Sequence, residues 1–183
     1  LKNIEKIKIL KKYKINPQKR IVCFSRIENK TFSKKIIESI SKKYKNINVV
    51  IIEDKKIKII EDGLLRYSKI PAKEAMQISD LMFCIPQTEP HSFTVLESLY
   101  FNTPIFVSNT SWLKYEFKNY PNIIIKELSV KKIFEKLESF YKNRSKFEDK
   151  TLEIRDILLK RYDFKKTIYE YRELINKLTN RSI

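Results

Sequence analysis

Residues 86–109 read PQTEPHSFTVLESLYFNTPIFVSN, and this stretch decides the fold. A polar loop containing Pro86 and Pro90 opens an apolar helix. The helix stops at Asn102, and Pro104 leads into a buried strand from Ile105 to Val107. Glu89 falls in the loop and Glu97 in the first turn or two of the helix, eight positions further on. Free backbone N–H groups and the helix dipole make such a loop–helix junction a place for anions. In chains that alternate helix and strand, phosphate-bearing ligands bind there.

Working outward, Leu81 to Ile85 is the strand that delivers the Glu89 loop, and Pro71 suits the first turn of a helix over Ala72 to Ser79. Further upstream, Ile4, Ile7, Leu10 and Tyr13 recur at steps of three, which predicts an amphipathic helix over residues 1–14 whose other face is nearly all lysine. Asn16-Pro17 ends it, and Arg20 to Ser25 reads as a buried strand. A second helix, capped by Thr31 or Ser33, presents Phe32, Ile36, Ile37, Ile40 and Tyr44 on one face. Val49 to Ile52 is a buried strand, Ile57 to Ile60 a short apolar piece, Asp62-Gly63 a turn and Leu64 to Ile70 a third strand. Downstream, Ser111 to Phe117 reads as helical and Ile123 to Ile125 as a last strand. Ser129 caps a helix carrying Val130, Ile133, Phe134, Leu137, Phe140 and Tyr141, and two helical stretches around 147–161 and 164–178 finish the chain.

The fold class is therefore α/β, a Rossmann-like parallel sheet flanked by helices on both faces. The sheet includes 20–25, 48–53, 81–85 and 104–108, with 81–85 and 104–108 joined by a helix over 93–101. Residues 1–183 suit one domain, its C-terminal helices at about 145–180 packing back.

Apolar and charged residues make up 42% and 33% of the chain, as in a folded, soluble protein. No apolar run approaches the roughly 20 residues that span a bilayer, and the lysine-laden start is no signal peptide. Leu rather than Met stands first, as in a segment of a longer chain. Lys and Arg exceed Asp and Glu by 39 to 22, for a net charge of +17. Such a charge suits nucleic acid, anionic lipid or phosphorylated ligands, although a single glycine amid abundant Ile, Lys and Asn also suits an AT-rich coding bias. Cys23 and Cys84 lie inside apolar strand-like runs and read as buried structural thiols in a reducing, cytoplasmic compartment. One histidine rules out a multi-histidine metal site, and no zinc spacing occurs.

The central stretch resembles the donor-binding segment of retaining GT-B glycosyltransferases, glycosyl transferases group 1 type. That family often reads E-P-F-G-L-(T/V)-x-L-E-A, then a small cap residue and a Pro-led strand. Here Glu89-Pro90-His91-Ser92-Phe93-Thr94-Val95-Leu96-Glu97-Ser98 keeps the spacing, and Asn102-Thr103-Pro104 closes it; Ser92 and Asn102 stand where glycine is usual. The family's G-R-x-x-x-K-G turn after the first strand is matched by Arg26 and Lys30, with Ser25 and Thr31 at its glycine positions. The resemblance spans roughly residues 8–178 and implies the C-terminal, nucleotide-sugar-binding half of a GT-B enzyme.

In such an enzyme Arg26, Lys30 and the helix N-terminus with Ser92, Phe93 and Thr94 would hold the diphosphate. Glu97 would accept hydrogen bonds from the ribose, and Glu89 would sit beside the donor sugar as the catalytic carboxylate. His91 is a further candidate for phosphate, and Lys69 and Ile70 for the base. No cofactor and no metal are required, and the partner is a nucleotide sugar. The acceptor-binding N-terminal domain is missing, so the chain is either an excised half or a truncated relative, inactive by itself in the retaining hexosyl transfer of glycan biosynthesis. Two other readings compete. Thr94-Val95-Leu96-Glu97 has the form of a capping box, which would make Glu97 a helix cap and nothing more. The alternative function is a basic module for nucleic acid or anionic membrane on a Rossmann-like fold. Nucleic acid is disfavoured because no RRM, KH or helix-turn-helix signature occurs. Peripheral contact at the inner face of a membrane, through the lysine faces of the first and last helices, is compatible with the transferase reading.

Overall fold

Apolar runs of strand length without polar alternation have to be covered on both faces, and they form the centre of the sheet. The computed structural model describes residues 2–25, 30–52, 57–61, 64–68, 70–86 and 92–179. Its strands are β1 (Arg20–Phe24), β2 (Ile47–Ile52), β3 (Ile57–Glu61), β4 (Leu64–Ser68), β5 (Leu81–Cys84), β6 (Ile105–Ser108) and β7 (Ile124–Ile125). They make one seven-stranded sheet in the order β4-β3-β2-β1-β5-β6-β7. All four segments expected in the sheet are there, mutually parallel, and β5 and β6 are buried along their whole length.

The sheet is mostly parallel, and β3 is the exception. It runs antiparallel to both β2 and β4, with Ile52 opposite Ile57 and Glu61 opposite Leu64. Four residues separate Ile52 from Ile57, far fewer than the dozen or so a parallel crossover needs. The two residues between Glu61 and Leu64 are Asp-Gly, a pair that favours two-residue hairpins.

The helices are α1 (Lys2–Lys12), α2 (Lys30–Lys43), α3 (Ala72–Ile78), α4 (Phe93–Tyr100), α5 (Ser111–Glu116), α6 (Val130–Lys142), α7 (Arg144–Arg161) and α8 (Phe164–Thr179). Some boundaries differ from the sequence reading. Because α2 already starts at Lys30, neither Thr31 nor Ser33 is its cap. Pro71 occupies the N-cap place of α3, one residue outside the helix. Ser129 does cap α6: its Oγ accepts the Lys132 N–H at 3.2 Å.

Three phenylalanines on adjacent strands run through the core. Phe24 stacks on Phe83 at 4.8 Å between centroids, and Phe83 meets Phe106 at 5.5 Å. Phe147 from α7 closes on Phe106 at 5.3 Å, and Ile154 and Leu158 of the same helix are buried. The far end of α7 is tied to α5, where the Tyr162 hydroxyl accepts the Trp112 indole N–H at 3.2 Å and donates to Glu116 at 2.9 Å. In α8, Ile168, Tyr169, Tyr171 and Leu174 are exposed. No helix among the described residues is long and apolar enough to cross a membrane.

The N-terminal ends of the interior strands β1 and β5 are tied by Asp80, which the sequence reading passed over. Its Oδ2 accepts the Ile21 N–H at 2.8 Å, while Oδ1 accepts from Lys6 Nζ at 2.9 Å and Arg144 Nη2 at 3.2 Å. One buried carboxylate thereby joins β1, α1 and α7 at the foot of β5.

Candidate donor site at the sheet switch point

The strand order reverses beside β1. The chain moves from β1 to β2 in one direction across the sheet, and from β5 to β6 and β7 in the other. Right-handed crossovers then place α2 and α4 on opposite faces. In agreement, α2 packs with α6 while α4 packs with α3 and α7. The chain leaving β1 and the chain leaving β5 therefore diverge from adjacent strand ends, with Phe24 in register with Phe83. In open α/β sheets this divergence at the C-terminal strand ends is the crevice that takes ligands.

The two segments singled out from sequence both start here. Ser25, immediately before Arg26, donates its backbone N–H to Phe83 O at 2.9 Å. Its Oγ accepts the Ile85 N–H at 3.2 Å. On the other side of β5, Ser108 Oγ donates to the Pro86 carbonyl at 2.6 Å. Arg26, Lys69, Glu89 and His91 themselves lie outside the described residues. Lys30 is the first residue of α2. Ile70 is buried in the core ahead of α3, so its side chain belongs to packing.

The start of α4 is better defined. Ser92 is the N-cap residue, in extended conformation, yet its side chain makes no capping bond. It is only 2% exposed, and among the described residues its Oγ has no hydrogen-bond partner. A buried hydroxyl left unbonded costs free energy, and the first N–H groups of any helix have no intrahelical acceptor. Among the described residues, the Ser92 hydroxyl is thus a donor without an acceptor beside the first turn of α4. Phe93 is 77% exposed, Thr94 is half-buried, and Val95, Ser98 and Leu99 face the core.

This placement corrects the capping-box reading. With Ser92 as cap, Thr94 is the second helical residue and Glu97 the fifth, beyond the third position from which a Glu reaches back to the cap. The Glu97 side chain is exposed and makes no hydrogen bond or ion pair among the described residues. At the other end of α4, Asn102 takes a left-handed conformation, φ 54°. The Asn102 N–H bonds Leu99 O and the Thr103 N–H bonds Ser98 O, each at 2.9 Å. This is a Schellman ending, with Asn in the place glycine usually takes. It turns the chain sharply toward Pro104, whose carbonyl accepts the Met82 N–H at 2.8 Å.

A family model described as Glycosyl transferases group 1 matches residues 5–154. The chain belongs to that family. No curated protein matches it in sequence. The group 1 match runs from α1 into α7, and so takes in both loops at the switch point, α4 and the Asn102 turn; α8 lies beyond it. As a group 1 glycosyltransferase domain, the fold serves glycosyl transfer.

Sequence reasoning missed Ser25 and Ser108 as organisers of this site. Ser25 was noted only as a replacement for glycine, and no pattern marks Ser108, since a serine ending a strand is common. Cys23 and Cys84 are both buried, and burial pushes the Cys23 thiol up to about 12. That thiol is protonated and inert, as a packing residue would be.

Proposed function

We propose that this domain binds the nucleoside-diphosphate sugar donor of a retaining GT-B hexosyltransferase acting on a glycan or lipid-linked acceptor. The observation that carries the reading is the N-terminus of α4, where a buried Ser92 hydroxyl without a partner among the described residues adjoins the N–H groups of the helix's first turn at the switch point. Those donors suit a diphosphate, the leaving group on which negative charge develops during sugar transfer.

In this reading Arg26 and Lys30 bring positive charge from the end of β1, in place of a metal ion. Glu97, free of capping duty, binds the ribose. Glu89 is assigned to the donor sugar, where a carboxylate would stabilise positive charge at the anomeric carbon, and His91 to a further phosphate contact. Ser92 takes the glycine position and adds a hydroxyl donor to the backbone N–H groups. The second wall of the cleft, with the acceptor site, belongs to a separate N-terminal domain, so these 183 residues bind donor without transferring sugar. A cytoplasmic enzyme with peripheral contact to an anionic membrane fits this assignment, since the chain carries +17.

The test is thermal shift and calorimetric titration with UDP, GDP and ADP. A ligand bound only by the native state raises its melting temperature. The expected result is saturable 1:1 binding of one or more of the three. No binding of any of them at millimolar concentration would refute the assignment.

A further inference from the structure

Three side chains share the outer face of α4. Phe93, Glu97 and Tyr100 are spaced four and then three positions apart, which at the helical repeat keeps them within about 60° around the axis. The inner face packs Val95, Ser98 and Leu99 into the core. Ring, carboxylate and ring therefore look outward, Phe93 at 77% exposure and Tyr100 at 61%, with Glu97 exposed between them. Large exposed rings on both sides of a carboxylate are not explained by packing. The Tyr100 ring is nonetheless steadied, because Phe101 meets it edge-on at 85°, with centroids 5.2 Å apart. Helical side chains lean toward the N-terminus of their helix, which sets the Tyr100 ring over the turn that carries Glu97. Ile70, expected from sequence to touch the base, is buried in the core.

We propose that Tyr100 is the base platform of the donor site: its ring stacks on the nucleobase while Glu97 holds the ribose. The proposal rests on the donor-binding reading above and deepens it. A nucleoside diphosphate presents diphosphate, ribose and base in that order. The diphosphate end is set by the start of α4, where the Ser92 hydroxyl, 2% exposed, has no partner among the described residues. Glu97 takes the ribose about one and a half turns along the helix. The base continues in the same direction, and the next outward side chain there is Tyr100, since Ser98 and Leu99 face the core. Phe93, at the first helical position, stays on the diphosphate side of Glu97. Stacking requires only an exposed aromatic face, and every base offers one in return.

The experiment is calorimetric titration of UDP, GDP, ADP and inorganic pyrophosphate against wild type, Tyr100→Ala, Tyr100→Phe and Phe93→Ala, with melting temperatures alongside. For whichever nucleotide binds, Tyr100→Ala should weaken affinity by about five-fold or more, the order of one base–aromatic stack, and should keep pyrophosphate affinity within about two-fold. Tyr100→Phe should keep both, because the ring and not the hydroxyl does the stacking. Unchanged nucleotide affinity in Tyr100→Ala overturns the platform and leaves the donor-binding reading standing. An equal loss for pyrophosphate also overturns it, because the residue would then be supporting the helix rather than the base. Selective loss of nucleotide in Phe93→Ala but not in Tyr100→Ala overturns it too, since the ligand would then run the other way from Glu97. Where pyrophosphate binds too weakly to titrate, Tyr100→Phe decides: retained affinity beside the loss in Tyr100→Ala supports stacking, and loss in both overturns it. If wild type binds none of the nucleotides, the functional assignment fails first and the platform with it.

Discussion

Glu97→Gln separates a ligand-binding carboxylate from a structural one, because the structure removes the usual confounder. In a capping box Gln would replace Glu with little effect, and a silent mutation would be uninformative. Here Ser92 is the cap and Glu97 sits at the fifth helical position, exposed and without a partner among the described residues. The substitution changes no packing and breaks no described hydrogen bond, so stability should stay within about 0.5 kcal/mol of wild type. If Glu97 binds the ribose hydroxyls, loss of its charge removes hydrogen bonds to a charged group, worth about 1.5–3 kcal/mol. At about 1.4 kcal/mol per decade, the dissociation constant for nucleoside diphosphate should rise by about 10- to 150-fold. Arg26→Ala should cost at least as much, through a lost charge-assisted phosphate contact. Calorimetric titration of UDP, GDP and ADP against wild type and both variants measures this, with melting temperatures as the folding control. Unchanged affinity in both variants, for a nucleotide the wild type binds, would refute the assignment of these residues and leave a resemblance of fold alone. The same titration ranks the bases.

The remaining predictions concern the scaffold and its thiols. Asp80→Ala strands the Ile21 N–H and releases Lys6 and Arg144; it should destabilise by about 1–3 kcal/mol in denaturant titration. It should leave nucleotide affinity intact, since Asp80 lies at the foot of β5 and the loop at its head. Asn102→Ala should be less stable than Asn102→Gly by about 1 kcal/mol, because both lose the same side chain and only alanine resists φ 54°; equal stabilities would contradict the Schellman account. Cys23, its thiol pushed up to about 12 and its side chain fully buried, should resist a thiol reagent at pH 8 until the protein unfolds. Rapid labelling of the native protein at that position would show the strand end to be open.

Much of the fold was legible because its signals are local. Apolar runs such as Ile21 to Phe24 and Leu81 to Cys84 announce strands buried on both faces, and Pro104 after Asn102 announces a sharp exit from α4. The spacing of Glu89 and Glu97 and the Arg26–Lys30 pair were visible for the same reason, as residues at fixed offsets around a predicted loop and helix. The direction of β3 was also written locally, in a four-residue connection too short for a crossover and in Asp-Gly before Leu64. From the sequence, Ile57 to Ile60 reads only as a short apolar piece, with no direction assigned to it.

Other features exist only once distant segments meet. The sequence marks two loops that suit phosphate but not that they leave adjacent strands, since strand order depends on which edge of the sheet β5 joins. Its place beside β1 opens the switch point. Capping was decided by two residues of helix phase: starting α4 at Phe93 makes Ser92 the cap in place of Thr94 and frees Glu97, and propensity cannot fix a boundary that finely. Asp80, Ser25 and Ser108 have no signature, because a buried polar side chain gains its meaning from the partner the fold supplies. For Asp80 that partner is Ile21, 59 positions away in the chain. For Ser25 it is Ile85, 60 positions away. Sequence alone determined the elements and the candidate chemistry of this protein. Tertiary structure decided which of them share a crevice, because hydrogen bonds between remote backbone groups, and the handedness of the crossovers, are properties of the assembled sheet.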